Sequence, residues 1–123
     1  MTFSLHPTFN KELKKFLKKH HQDERWLFNL QNLLTAHFEK KTTKLSEDKL
    51  AQIGKLDEYE LWKVFMAIGG GIRKVQCPKV CFSKVNSEVV FLCFGTHINN
   101  YKTSDLIFKG KKRLKEIISN RIR

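Results

Sequence analysis

The sequence has no apolar run approaching the roughly 20 residues that span a bilayer, and no signal-peptide pattern opens it, so a cytoplasmic protein with no membrane partner is expected. Acidic residues are in short supply: twelve Asp and Glu stand against twenty-four Lys and Arg, a net charge of +12. A balance this far from zero costs self-repulsion unless an anionic partner uses it. Nucleic acid, ribosomal RNA or an acidic protein are the natural candidates. Cysteine is scarce and odd in number. The C-x3-C spacing of Cys77 and Cys81 matches no common zinc or redox pattern, and Cys93 stands apart. At strand spacing all three read as small core residues in a reducing compartment. Nor do the histidines suggest a metal site: His20 and His21 are adjacent, His37 is distant, and none is paired at the helical spacing that sets two ligands on one face. No cofactor is expected, and no internal repeat or low-complexity segment is present.

What is there suits a single folded domain over residues 1–123. The hydrophobic fraction is 41% and the aromatic fraction 11%, with ten Phe, which excludes disorder and allows a core without disulfide or metal staples.

The periodicities divide the chain into two halves. MTFSLHP reads as a short strand near 2–6 closed by Pro7, after which Thr8 is the expected cap of a helix. Phe9, Leu13, Phe16 and Leu17 mark that helix's apolar stripe, and Lys11, Lys14, Lys15, Lys18 and Lys19 fall largely elsewhere around it. Asp23 is the expected cap of a second helix striped by Trp26, Leu27, Leu30, Leu33, Leu34 and Phe38. The lysine-rich stretch that follows reads as a connector with one short helix from Ser46 through Ile53, ended by Gly54. From there the period changes to that of strands, expected near 58–68, 75–84 and 88–97, with turns at Gly69-Gly70-Gly71 and Asn86-Ser87. A last helix, capped at Ser104 or Asp105, carries Ile107, Leu114, Ile117 and Ile118 and is weakened by Gly110. The fold class is therefore α+β: an antiparallel sheet of about four strands, two N-terminal helices packed on one face, and a C-terminal helix. Trp26, Leu30, Leu34, Phe65 and Leu92 are expected in one core.

Two segments are strongly basic. Residues 102–123 hold Lys102, Lys109, Lys111, Lys112, Arg113, Lys115, Arg121 and Arg123 against Asp105 and Glu116, and residues 1–22 hold five lysines against Glu12. Such a field attracts a phosphate backbone without reading sequence. The stretch FGTHINNY, residues 94–101, is more specific, because a side chain at the exit of a buried strand is held by a rigid element yet open to a ligand. His97 there is able to give or take a proton near neutral pH.

The order MTFSLHPTFNKELKKF, a helical pair, ELWKVF, a turn with Arg73 and then VVFLCFGTHINNY resembles the RelE and YafQ-like ribosome-dependent mRNA interferases. These are the toxins of bacterial toxin–antitoxin pairs, and the likeness in element order covers nearly the whole chain. GTHINNY is similar to the glycine, small residue, histidine and, four residues on, aromatic that close the last strand in the YafQ-like branch. KTSDLIFKGKKRLKEI resembles the sequence after the last strand in HigB-like members, where a C-terminal helix packs near the site. The resemblance implies an endoribonuclease that cleaves mRNA on the ribosome, silenced by an acidic cognate antitoxin. His97 would be the proton-transfer residue, Arg73 the cation on the scissile phosphate and Tyr101 an aromatic contact to RNA. Lys74, Lys79, Lys84, Lys102, Lys111, Lys112 and Arg113 would be further RNA contacts. The reaction needs no metal: the ribose 2′-oxygen attacks the adjacent phosphorus, a base takes the hydroxyl proton, an acid protonates the leaving 5′-oxygen, and cations stabilise the phosphorane.

The same fold and charge also fit a non-catalytic basic module holding RNA or an acidic protein. In YafQ-like proteins an arginine stands four residues before the histidine, and here that place is taken by Cys93.

Overall fold

In the computed structural model, which describes residues 1–42, 45–65, 78–95 and 102–122, strand β1 (Thr2–Leu5) leads through His6 into helix α1 (Pro7–Lys19). Pro7 sits in the first turn, where a missing N–H costs nothing. The cap is His6 rather than Thr8: its Nδ1 accepts the Thr8 amide at 3.0 Å. With Nδ1 an acceptor, the ring proton lies on Nε2, which donates to Glu116 Oε2 at 3.0 Å. One buried ring thus starts α1 and ties it to the C-terminal helix. Phe9, Leu13, Phe16 and Leu17 are buried as their spacing requires, and the five lysines of α1 are exposed. Helix α2 (Arg25–Thr35) has Glu24 rather than Asp23 at its N-cap, without a side-chain cap bond; Asp23 stands one residue earlier, its Oδ1 accepting the Arg25 amide at 2.9 Å. The helix continues into a π-helical turn, Ala36–Lys40, which ends at Lys41 with φ 53°.

The expected short helix from Ser46 through Ile53 is not formed. After a turn at Ser46, the chain enters strand β2 (Leu50–Leu56), which pairs antiparallel with β3 (Tyr59–Phe65). Ile53 is an extra residue between the Gln52–Trp62 and Gly54–Leu61 pairs, so the bulge breaks the alternation by which a strand is recognised. Strands β4 (Lys79–Val85) and β5 (Glu88–Gly95) complete the antiparallel run, and helix α3 (Thr103–Ile122) follows. Two-residue turns at Asp57 and Asn86, each with φ 53°, close the β2–β3 and β4–β5 hairpins. The expected turn at Gly69-Gly70-Gly71 and the outer ends of three expected strands lie outside the described residues.

Among the described residues the sheet has five strands in the order β1-β5-β4-β3-β2, and the fold is α+β as expected. It is mixed, not wholly antiparallel: β1 runs parallel to β5, which the intervening two helices and three strands allow. The apolar interior divides at the sheet into two clusters, correcting the expectation of one core. Helices α1 and α2 pack with Val64, Val80, Phe82, Val89, Phe91 and Phe94, and α3 packs with Leu61, Cys81, Val90, Leu92 and Cys93. Leu92 therefore belongs to the α3 side, away from Trp26, Leu30 and Leu34, while Phe65 is half-buried on their side.

Another bulge shapes β5. Cys81 faces Cys93 and Phe82 faces Phe91, so Leu92 is the extra residue and both Leu92 and Cys93 turn toward α3. Helix α3 approaches this surface closely: a Cβ on Gly110 would lie 2.7 Å from Cys81 Sγ. Gly110 thus belongs to the packing, and its low helix propensity is the cost of that contact.

Candidate nucleic-acid interface

Strand pairing brings three chain ends together. Phe65, the last residue of β3, pairs with Lys79, the first of β4, and Lys79 pairs in turn with Gly95, the last of β5. Helix α3 begins at the same end, where Lys63 Nζ of β3 donates to Thr103 Oγ1 at 3.3 Å. At this end, too, Phe94 of β5 packs on Phe16 and Trp26, with ring centroids 4.8 and 5.8 Å away, which brings the C-terminal half of α1 alongside. Both basic segments therefore approach one end of the sheet from its two faces.

The candidate residues distribute unevenly over this frame. His97, Arg73, Lys74 and Tyr101 lie outside the described residues. Their segments, 66–77 and 96–101, are anchored by the paired residues Phe65, Lys79 and Gly95. Lys79 and the exposed Lys102 are at that end. Lys84 is not. It stands five residues further along β4, roughly 17 Å away at strand rise, with Nζ 3.9 Å from Glu60 and 5.0 Å from the centroid of Phe38. Lys111 and Lys112 are midway along α3, and the stem of Lys111 crosses Gly54 of β2, where a Cβ would meet its Cε at 3.9 Å.

Arg113, expected as a phosphate contact, is spoken for inside the fold. Its Nη1 donates to Glu12 Oε1 and to the Leu92 carbonyl, each at 2.7 Å, and Nη2 donates to Glu12 Oε2 at 3.3 Å. The β5 bulge leaves that carbonyl off the regular ladder, and the guanidinium satisfies it. Burial works against the Arg113 charge, but the Glu12 carboxylate outweighs it and holds the pKa above the ordinary arginine value. The side chain, 12% exposed, joins α1 to α3 and takes no part in the external field.

The thiols are equally internal. Burial, with Cys93 adding to it, raises the Cys81 pKa far above the thiol range, and burial pushes Cys93 up to about 11. Both are free, uncharged core residues, as their spacing suggested; Cys77 lies outside the described residues. Among the described residues no group of three His, Cys, Asp or Glu is placed to hold a metal ion, and no helix is long and apolar enough to cross a membrane.

Two residues escaped the sequence reading. Lys63 is a half-buried cation on β3 that reaches the start of α3, where the helix dipole adds positive potential and Asp105 offsets part of it. Its signal was a lysine interrupting the apolar ELWKVF. Phe108 is 73% exposed on α3, although a phenylalanine in a helix is usually taken as core. Its signal was a phase: it falls opposite Leu106, Gly110 and Leu114 on the helical wheel.

What this arrangement is suited to is holding a polyanion at one end of a rigid sheet, with lysines on two helices and on β3 and β4 around it. No protein-family model matches the chain, and neither a curated protein nor a solved structure matches it.

Proposed function

We propose that the chain is a RelE-like toxin endoribonuclease, acting in the cytoplasm on mRNA at the ribosome and silenced by an acidic antitoxin. His97 is the proton-transfer residue, Arg73 the cation on the scissile phosphate, and Tyr101 an RNA contact. The supporting observation is the adjacency of Phe65, Lys79 and Gly95, the anchors of the segments that carry these residues, at a sheet end supplied with Lys63 and Lys102. In-line attack by the 2′-oxygen demands base, acid and cation around one phosphate, and segments rooted on neighbouring strands are where such groups converge. A positioned proton donor contributes about 10²- to 10⁴-fold, so His97, together with one or two cations, accounts for slow but useful cleavage.

A second reading keeps the fold and the field but no cleavage, the chain holding RNA or an acidic protein. Cys93 favours it: the position where YafQ-like enzymes carry an arginine is here a fully buried thiol facing α3. Induction of wild type and His97→Ala in a bacterial host separates the two readings. The nuclease arrests growth and fragments mRNA, and His97→Ala does neither; equal arrest by both chains, with mRNA intact, would establish the binding module.

A further inference from the structure

The outward face of α3 presents one bare aromatic ring among lysines. Phe108 is 73% exposed; Lys112, one turn on, and Lys115, two turns on, are exposed as well, and neither makes an ion pair among the described residues. The helix leaves the sheet end at Thr103 and runs back along it until Arg121 pairs with Glu88 at the start of β5. Phe108 is thus within two turns of the candidate cleavage end, and Lys112 lies about 6 Å further along the axis.

We propose that this face is a track for single-stranded RNA, with Phe108 stacking on a base and Lys112 and Lys115 taking the flanking phosphates. The inference rests on the nuclease reading only for which RNA arrives; the binding itself needs no cleavage. Charge complementarity decides the occupant. A protein partner needs a contiguous apolar centre, and lysine is depleted from such centres, whereas here a single ring has Lys112 and Lys115 after it and one carboxylate, Asp105, a turn before it. A ring plus lysines is what a nucleotide strand uses, because every base offers a π-face and every step a phosphate. Phe28 supplies the internal comparison. It is 61% exposed on α2, but its neighbours Asn29 and Asn32 carry no charge, and Arg25 is neutralised by Asp23 at 2.9 Å.

The test is fluorescence anisotropy with a labelled 2′-O-methyl RNA single strand, which lacks the attacking hydroxyl, so that binding is read without cleavage. Phe108→Ala, which removes a side chain that the core does not use, is expected to weaken binding by about one to two orders of magnitude with the salt slope unchanged. Phe108→Trp retains affinity, and Phe28→Ala binds as wild type. Lys112→Ala with Lys115→Ala lowers the slope of log K against log salt by roughly 1.4, two phosphates at about 0.7 each. Undiminished binding by Phe108→Ala, or no binding by wild type, would overturn the track. So would Phe108-dependent binding of polyglutamate alongside Phe108-independent binding of RNA, which would make the face a protein dock. A wild type that binds this strand through Phe108 yet leaves mRNA intact on ribosomes retires the nuclease and keeps the track.

Discussion

Arg113 shows how little a residue's charge says about its task. It sits in the most basic stretch of the chain, yet its three donated bonds go to Glu12 and the Leu92 carbonyl. Arg113→Ala should therefore destabilise the fold by about 3 kcal/mol, because it leaves a half-buried carboxylate and a bulged carbonyl without their donor. Urea unfolding measures this, and a midpoint equal to wild type would mean that the clamp contributes nothing. Arg113→Lys should recover only part of the loss, since an ammonium cannot reproduce the two-pronged bond. The thiols give another check at this scale. With Cys93 raised to about 11 and Cys81 higher still, thiolate is scarce at neutral pH. Neither thiol should be alkylated in the native protein at pH 7.5, and both should react in urea, as read by peptide mass spectrometry. Rapid native labelling of either would mean that α3 lifts readily from the sheet.

Among the elements, α1, α2 and the central strands were legible because their apolar residues repeat at 3.6 or 2 over enough length to stand out. Strand β2 was not. In Leu50–Leu56, Gln52, Gly54 and Lys55 interrupt the apolar residues and a bulge at Ile53 breaks their alternation, so only its pairing with β3 makes it a strand, and pairing across the chain is not a local property. For the same reason the parallel placement of β1 and the two-sided core were hidden. The run EVVFLCFG read as an inner strand, but not that its bulge sends Leu92 and Cys93 to one side. Gly110 read as a weakness and is a contact. Gly110→Ala would gain roughly 1 kcal/mol in helix propensity but push a methyl to 2.7 Å from Cys81 Sγ, an overpacking that costs about 1–3 kcal/mol. The variant should be less stable than wild type, and adding Cys81→Ala should restore much of the loss by emptying the space. A more stable Gly110→Ala would show that α3 stands further from the sheet.

Over the whole molecule, the +12 charge includes exposed lysines well away from the candidate end, such as Lys40, Lys41 and Lys55, beside those of the two basic segments. The five lysines of α1 are exposed, those of the sheet end and α3 lie around or beyond the start of α3, and Arg113, Lys84 and Arg121 are held by carboxylates. The residue types of the candidate site were visible in FGTHINNY and around Arg73; that their segments are rooted side by side was not, because it follows from the β3–β4–β5 pairing. The most direct measurement of the proposed activity is mRNA cleavage in a purified translation reaction, with RNA affinity determined in parallel. Wild type should cut message on programmed ribosomes, and His97→Ala should cut about 10²-fold or more slowly at nearly unchanged affinity, the loss expected when an acid or base is removed from an intact site. Cleavage by His97→Ala at the wild-type rate, or none by wild type, would contradict the assignment.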